Sequence, residues 1–433
     1  MRKINTVTGP IQAKIKIPGS KSITQRALHL AALADGVSEL TNVRINAETK
    51  NFIKALHQLG IVVQLDETTN SCIIAGGKGQ FPRKQASIKC GNSKTVAYFL
   101  ITACAASLGV YYFDGSKTLR QLPLHNFIHL LCRKGAQLIP SDIEHMPFTL
   151  VGADTFEGGD LIIESDATDQ FASALLMISP YARSAFNFNV VNLVNPAQLD
   201  MTCAMMAEFG VLVHRIHHGN FMIPVPQHYH SRNYVIEPDF SLAAYFFAAA
   251  ALTKGEVSIQ ATKRALSKQP EIKFLSVLEK MGCKVEETAN ALTVKGMDVL
   301  KGVDISMRDF ENCLPMLATL APFASSPTRI THIGSNKNFK RIQLIKNQLL
   351  KMNIRVETSD DWIKIYPGKP ESMQISTFND PQIAMAFSLM GLKVPEITIE
   401  NSHCVEKIFP EFFNLWDELA EHPYEQISAA VTI

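Results

Sequence analysis

A single supersecondary unit recurs six times along this 433-residue chain, and a repeat of that length constrains the fold more than any one motif. Alanine- and leucine-rich runs of helical composition stand at residues 27–34, 96–106, 172–178, 242–252, 314–321 and 383–390, their starts about 70 residues apart. Each is followed by a turn and a β-rich stretch, at 37–43, 110–113, 185–191, 257–259, 329–333 and 397–399. A second, amphipathic helix comes next, then a strand, a turn and another strand. The strands alternate apolar and polar residues, which suits one buried face.

The amphipathic helices begin near Phe52, Phe127, Met201, Phe274 and Leu344. Four of them close on a glycine (Gly60, Gly135, Gly210 and Gly282) and the fifth on Asn353, the two residue types best suited to a left-handed C′ position. The sixth copy has a helix at 409–419 with no hairpin behind it, while the chain starts with a strand-like segment at 7–17. That segment is expected to cross to the last unit and complete it. The six units then form an α/β (α+β) protein of two domains, each of three βαβαββ-type units with buried apolar helices. One domain spans residues 20–236 and the other residues 1–15 with 237–433.

A polar cluster precedes the apolar helix in every copy, at 20–26, 92–95, 165–170, 237–241, 308–312 and 377–382. A helix start exposes unpaired N–H groups and the positive end of the dipole. Buried helices of this kind would gather their N-termini on one rim of each domain, and two facing rims would make a cleft for a multiply anionic ligand. The competing reading is that six helices need six caps. The first cluster is the richest. Residues 17–26 read I-P-G-S-K-S-I-T-Q-R, a Pro-Gly turn and then two cations among four hydroxyls and amides at a helix start. This is either a good anion site or a polar N-cap with solvated charges.

Composition removes several function classes. Hydrophobic content of 46%, charged content of 19% and a net charge of +2 describe an ordinary globular chain and give no case for nucleic acid or an acidic membrane surface. Small anionic substrates need only local positive charge. The eight cysteines have no C-x-x-C pair and no zinc spacing, which fits a reducing compartment. Met1 leads into Arg2-Lys3 without an apolar leader, and the longest apolar run, 242–252, is too short to span a bilayer. A cytoplasmic protein is expected. His214, His217 and His218 lie at a turn with no fourth ligand spaced for a metal. Cys90 and Cys313 stand near helix starts, where a thiolate would be stabilised, or serve as small buried residues.

The six-unit plan and P-G-S-K-S-x-x-x-R resemble the enolpyruvyl transferases over essentially the whole chain. Gly91-Asn92, Gln170-Phe171 with Ala174–Met177, Asn379-Asp380 with Ala384–Leu389, and Lys407-x-Phe409-Pro410-x-Phe412 extend the likeness. Lys21-Ser22 in the first motif, and the lack of Cys between Gly115 and Pro123, favour the shikimate branch over the one acting on UDP-N-acetylglucosamine. The resemblance implies transfer of an enolpyruvyl group from phosphoenolpyruvate to a hydroxyl of shikimate 3-phosphate. It implies no metal and no organic cofactor, and a two-domain cleft that needs no second subunit, so a monomer suffices. It gives Lys21 contact with both substrates, and Ser22 and Arg26 the shikimate carboxylate. Thr168 takes the place of a phosphate-binding serine, and Gln170 lies beside the ring. Lys337 and Arg341 match the lysine and closing arginine of K-E-x-D-R, and Lys407 the late phosphoenolpyruvate-binding lysine.

The departures from the family pattern are concentrated. Asn312 stands where the family has an acid before an apolar helix, and Asn338 replaces the glutamate of K-E-x-D-R. N-D-H-R reads Asn379-Asp380-Pro381-Gln382, so a histidine and an anion-binding arginine are absent. Thr118 and Arg120 fall in the R-x-K-x-R-P loop, which loses both of its arginines. Asn195 and Gln198 replace the serine and tyrosine of S-K-P-Y, and N-A-G-T has become Asn92-Ser93-Lys94-Thr95. Most losses fall on phosphoenolpyruvate and proton transfer. Arg120, Asp309, Glu311 and Lys340 are the nearby charges that would compensate. Three readings remain open: a shikimate-branch transferase with a depleted site, an anion-binding member without that activity, and a transferase for another acceptor.

Overall fold

The computed structural model describes residues 1–164, 169–191, 196–217, 219–260, 263–333 and 336–421, with backbone alone at 164 and 336–338. The described helices are α1 (Lys21–Leu33), α2 (Ala47–Gln58), α3 (Lys94–Ala105), α4 (His125–Arg133), α5 (Asp169–Ile178), α6 (Ala197–Glu208), α7 (Phe240–Thr253), α8 (Phe274–Lys280), α9 (Leu314–Leu320), α10 (Asn336–Lys351), α11 (Pro381–Gly391) and α12 (Phe412–Glu421). The chain divides into two compact units, Pro18–Glu237 and Met1–Ile17 with Pro238–Ile433. Each has its own hydrophobic core.

The odd-numbered helices α1, α3, α5, α7, α9 and α11 are the apolar ones, and they are enclosed nearly all round. Ile23–Leu33 of α1, Val96–Ala105 of α3 and Phe171–Ile178 of α5 are buried without a break. In α7 only Ser241 escapes burial. In the Pro18–Glu237 unit α3 packs on α1 and α5; in the other, α7, α9 and α11 pack on one another. The amphipathic helices bury one stripe, as Phe52, Ile53, Ala55 and Leu56 do in α2. The turns after them take the left-handed conformation at Gly60, Gly135, Gly210 and Gly282, and at Asn353 with φ 63°.

Among the described residues, six small sheets surround the helices. Five have four strands: one parallel pair at the edge, then an antiparallel hairpin. The leading strand of the first sheet is Asn233–Val235, parallel to Val37–Thr41 although it lies just before α7 in sequence. That leaves the fourth sheet without a leading strand, and the N-terminal segment fills the place. Gln12–Ile15 runs parallel to Glu256–Gln260, in register Gln12↔Glu256. The expectation that residues 7–17 complete the sixth unit is therefore corrected. The strand that pairs with that unit is Arg2–Lys3, antiparallel to Thr398–Ile399, and the Ile4 and Val7 N–H groups donate to the Ile397 and Leu392 carbonyls at 3.0 Å. The alternation is as read, with Ala13, Ile15 and Ile17 buried and Gln12, Lys14 and Lys16 exposed. Alternation selects a face and not a sheet, and the open parallel edge was in the fourth.

His29 lies within α1 between Phe52 and Phe99, with ring centroids 6.3 and 5.1 Å away. Neither ring nitrogen has a partner among the described residues. Burial lowers its pKa to about 3. The unfolded chain takes up this proton near pH 6.5 and the folded chain does not, so stability is full above pH 6.5 and is lost as pH falls toward 3. At pH 5 the loss from this one group is about 2 kcal/mol. We expect His29→Leu to remove it: between pH 7 and pH 5, urea unfolding of the variant shifts less than that of the parent. Parallel shifts in the two proteins would contradict this.

Candidate active site

In the Pro18–Glu237 unit the polar chemistry is at the start of α1. Ser20 precedes the helix with its N–H donating to the Glu237 carbonyl at 2.8 Å. Gly19 is required by space: a Cβ there would stand 1.9 Å from the Asn42 carbonyl oxygen. Lys21 and Ser22 are half-buried in the first turn. The Lys21 ammonium donates to Glu48 Oε1 at 2.6 Å. Glu48 lies in the first turn of α2, behind Asn46, whose side chain caps that helix by accepting from the Thr49 N–H. Its other oxygen accepts from Gln25 Nε2 at 3.2 Å and from Ser93 Oγ at 2.8 Å. Ser93 is in turn the N-cap of α3. One carboxylate thus ties together the starts of α1, α2 and α3, where three dipoles favour it. Sequence reading missed Glu48, because an acid in a first turn is equally the mark of an ordinary helix start.

Arg26 is one turn deeper and 2% exposed. Its Nε donates to Thr202 Oγ1 at 2.7 Å, its Nη2 to Ser173 Oγ at 3.1 Å and Gln198 Oε1 at 3.4 Å, and its Nη1 to the Ser22 carbonyl at 3.2 Å. These partners are neutral, and they come from α1, α5 and α6. Burial lowers the guanidinium pKa to about 10, with the Asp169 carboxylate opposing the shift. Gln170 is half-buried in the first turn of α5. Asn92 is exposed, its Oδ1 accepting from Ser116 Oγ at 2.8 Å. Lys94 is the exposed first residue of α3. Arg120 forks onto Asp114 with two hydrogen bonds of 2.8 Å. Thr168 and Asn195 lie outside the described residues.

The second unit has its own gathering of polar side chains at the starts of α7, α9 and α11. Asp239 caps α7, and Gln269 accepts from the Phe240 N–H at 3.0 Å while donating to the Pro238 carbonyl at 2.7 Å. Asn312 Nδ2 donates to Glu271 Oε1 at 2.8 Å. Gln382 Nε2 reaches Asn312 Oδ1 at 3.5 Å. Burial pushes the Glu271 carboxyl up, against the Asn312 hydrogen bond, and Asp239 adds to the rise. Arg341 is buried and donates from Nε to Asp380 Oδ2 at 2.7 Å, while Asp380 Oδ1 caps α11 through the Gln382 N–H at 2.9 Å. The two residues before that cap, Phe378 and Asn379, both have positive φ, a strained state for an exposed phenylalanine. Glu271 and Gln269 were not picked out from sequence; their partners lie 41 and about 30 residues away.

Lys407 ends the 3₁₀ stretch Ser402–Lys407 and is exposed. The side chains of Lys337 and Asn338 lie outside the described residues. Asp309 is paired with Lys273 at 2.6 Å, and Lys340 is exposed. Cys90 and Cys313 are fully buried; burial raises the Cys90 thiol to about 12 and Cys313 well above its ordinary range, so neither is a thiolate near neutrality. Among the described residues no group of three or more His, Cys, Asp or Glu could hold a metal ion, and no helix is long and apolar enough to cross a membrane. His218 lies outside the described residues.

Comparison with known proteins places the chain. The sequence profile of EPSP synthase (3-phosphoshikimate 1-carboxyvinyltransferase) matches residues 6–416. A 3-phosphoshikimate 1-carboxyvinyltransferase of Nostoc punctiforme is 38% identical over 424 residues, covering 97% of this chain and 99% of the relative. One of Shewanella oneidensis is 36% identical over 409 residues, covering 93% and 96%. Among solved structures, EPSP synthase from Acinetobacter baumannii superposes with a TM-score of 0.85 at 21% identity, covering 96% of this chain and 97% of that one. The enolpyruvyl transferase NikO from Streptomyces tendae follows at 0.73 and 16% identity, covering 96% of each. With the repeated two-unit architecture and the helix-start clusters, these matches show that the chain belongs to the EPSP synthase (3-phosphoshikimate 1-carboxyvinyltransferase) family.

Proposed function

We propose that this protein transfers the enolpyruvyl group of phosphoenolpyruvate to a hydroxyl of shikimate 3-phosphate, slowly, from a site whose acceptor side is kept and whose donor side is depleted. The C–O bond forms between the acceptor hydroxyl and C2 of phosphoenolpyruvate. A proton is delivered to C3 as the hydroxyl gives up its own; phosphate then leaves from C2 as a proton is withdrawn from C3, restoring the double bond. The observation that carries this reading is the intact 18–26 motif, folded as the lead-in and first two turns of a buried helix with the Lys21 ammonium at its open end. Lys21 is assigned to both substrates, and Ser22 and Arg26 to the acceptor carboxylate. Thr168 and Gln170 are assigned to the acceptor and its phosphate, Arg341 and Lys407 to phosphoenolpyruvate, Asn92 and Asn195 to substrate binding, and Lys337 to catalysis.

The donor side supports the word slowly. Asn312 and Asn338 cannot exchange a proton in the working range. Arg341 is committed to Asp380, and Arg120 to Asp114. Removing one charge-assisted hydrogen bond to a ligand weakens binding by about 1.5–3 kcal/mol. The Glu271–Asn312 pair favours a second reading, transfer to another hydroxylated acceptor, because the acid here sits one hydrogen bond away from the family position.

Two outcomes follow. Mixing the protein with both substrates and following inorganic phosphate by ³¹P NMR should give product at a kcat well under the roughly 10 s⁻¹ of a median enzyme. A rate in that ordinary range would mean that Asp309 or Glu311 serves as the proton carrier, and a complete absence of product would refute the activity. Lys94 occupies a position where the family has glycine, with its stem added beside the donor. Lys94→Gly is expected to tighten phosphoenolpyruvate binding in the presence of shikimate 3-phosphate several-fold. Weaker binding would make the ammonium a ligand of the donor substrate, and no change would leave it in solvent.

A further inference from the structure

The Glu271, Asn312 and Gln382 side chains form a directed chain. A carboxylate only accepts, so Asn312 must turn Nδ2 toward it, and does so at 2.8 Å. Asn312 Oδ1 is then turned away, and only a donor can face it. Gln382 supplies Nε2 at 3.5 Å. The Gln382 backbone is held on both sides, its N–H by Asp380 Oδ1 at 2.9 Å and its carbonyl by the buried Tyr245 hydroxyl at 3.5 Å. What remains is Gln382 Oε1. It is shielded from solvent and has no hydrogen-bond partner among the described residues. Buried acceptors left open in a native structure call for a partner.

We infer that Gln382 is a specificity-determining residue whose Oε1 accepts a hydrogen bond from a hydroxyl of the bound substrate, with Glu271 acting through Asn312 as the positioning residue that fixes its polarity. This rests on the reading of the site given above. At the matching position the resembled enolpyruvyl transferases have an anion-binding arginine. Here a phosphate or carboxylate oxygen would meet another acceptor, whereas a sugar- or shikimate-type hydroxyl would complete the chain. The polarity depends on one proton. If Glu271 is protonated, its O–H donates to Asn312 Oδ1, both amides turn over, and Gln382 presents Nε2 instead. The groups acting on that proton are Asp239 and Ser241 at the start of α7, and Asn312 and Cys313 ahead of α9.

Two measurements on the full chain test this. In the ligand-free protein, the side-chain amide signals of Asn312 and Gln382, followed by ¹H–¹⁵N NMR, should shift together with one midpoint above the ordinary glutamate range. That shift should vanish in Glu271→Gln. Amide signals that do not titrate together, or that still titrate in Glu271→Gln, would overturn the chain of polarity whatever the substrate proves to be. In calorimetry, Gln382→Met should weaken shikimate 3-phosphate binding tenfold or more and leave phosphoenolpyruvate binding within twofold. Affinity for shikimate 3-phosphate should fall with pH in the parent and not in Glu271→Gln. Unchanged shikimate 3-phosphate binding in Gln382→Met, or an equal loss for both ligands, would overturn the hydroxyl assignment. Absence of turnover in the parent bears only on the activity proposed above.

Discussion

A helix buried on every side has no lateral face on which to carry polar chemistry. Six of the twelve described helices are of this kind, and their only accessible polar groups are the unpaired N–H groups and side chains at their ends. Everything else in each unit follows from enclosing them. The amphipathic helices bury one stripe, the small sheets shield the remaining sides, and the leading strands of the first and fourth sheets are drawn from distant parts of the chain to close the last open edges.

The helix starts are built around carboxylates. Glu48 holds Lys21, Gln25 and Ser93; Asp380 holds Arg341 and caps α11; Glu271 holds Asn312. The negative charges of Glu48 and Asp380 are favoured by the dipoles they face, whereas burial works against that of Glu271, and each carboxylate also fixes the orientation of its partners. An anionic ligand arriving at Lys21 meets an ammonium already paired with Glu48, so its binding is an exchange of anions at that cation. Arg341 and Arg120 are paired in the same way, with Asp380 and Asp114.

The architecture was legible because its signals are local. Apolar runs announce the enclosed helices, and Gly60, Gly135, Gly210, Gly282 and Asn353 stand where left-handed turns occur. The partner of Gln12–Ile15 was not legible, since alternation identifies a buried face and says nothing of which sheet has a free edge. The same limit governs the site. Lys21, Ser22 and Arg26 could be read from a contiguous motif. Glu48 and Glu271 could not, because their roles come from Ser93, 45 residues on, and Asn312, 41 residues on. Arg26 could be assigned to α1 but not to the hydroxyls of Ser173 and Thr202, which two other helices bring to it.

The central claim is an asymmetry: a retained acceptor side and a depleted donor side. Separate calorimetric titrations of the whole chain with shikimate 3-phosphate and with phosphoenolpyruvate measure it most directly. The account predicts that shikimate 3-phosphate binds by itself, and that phosphoenolpyruvate alone binds at least tenfold more weakly. Phosphoenolpyruvate binding as tightly as shikimate 3-phosphate, or binding where shikimate 3-phosphate does not, would contradict it.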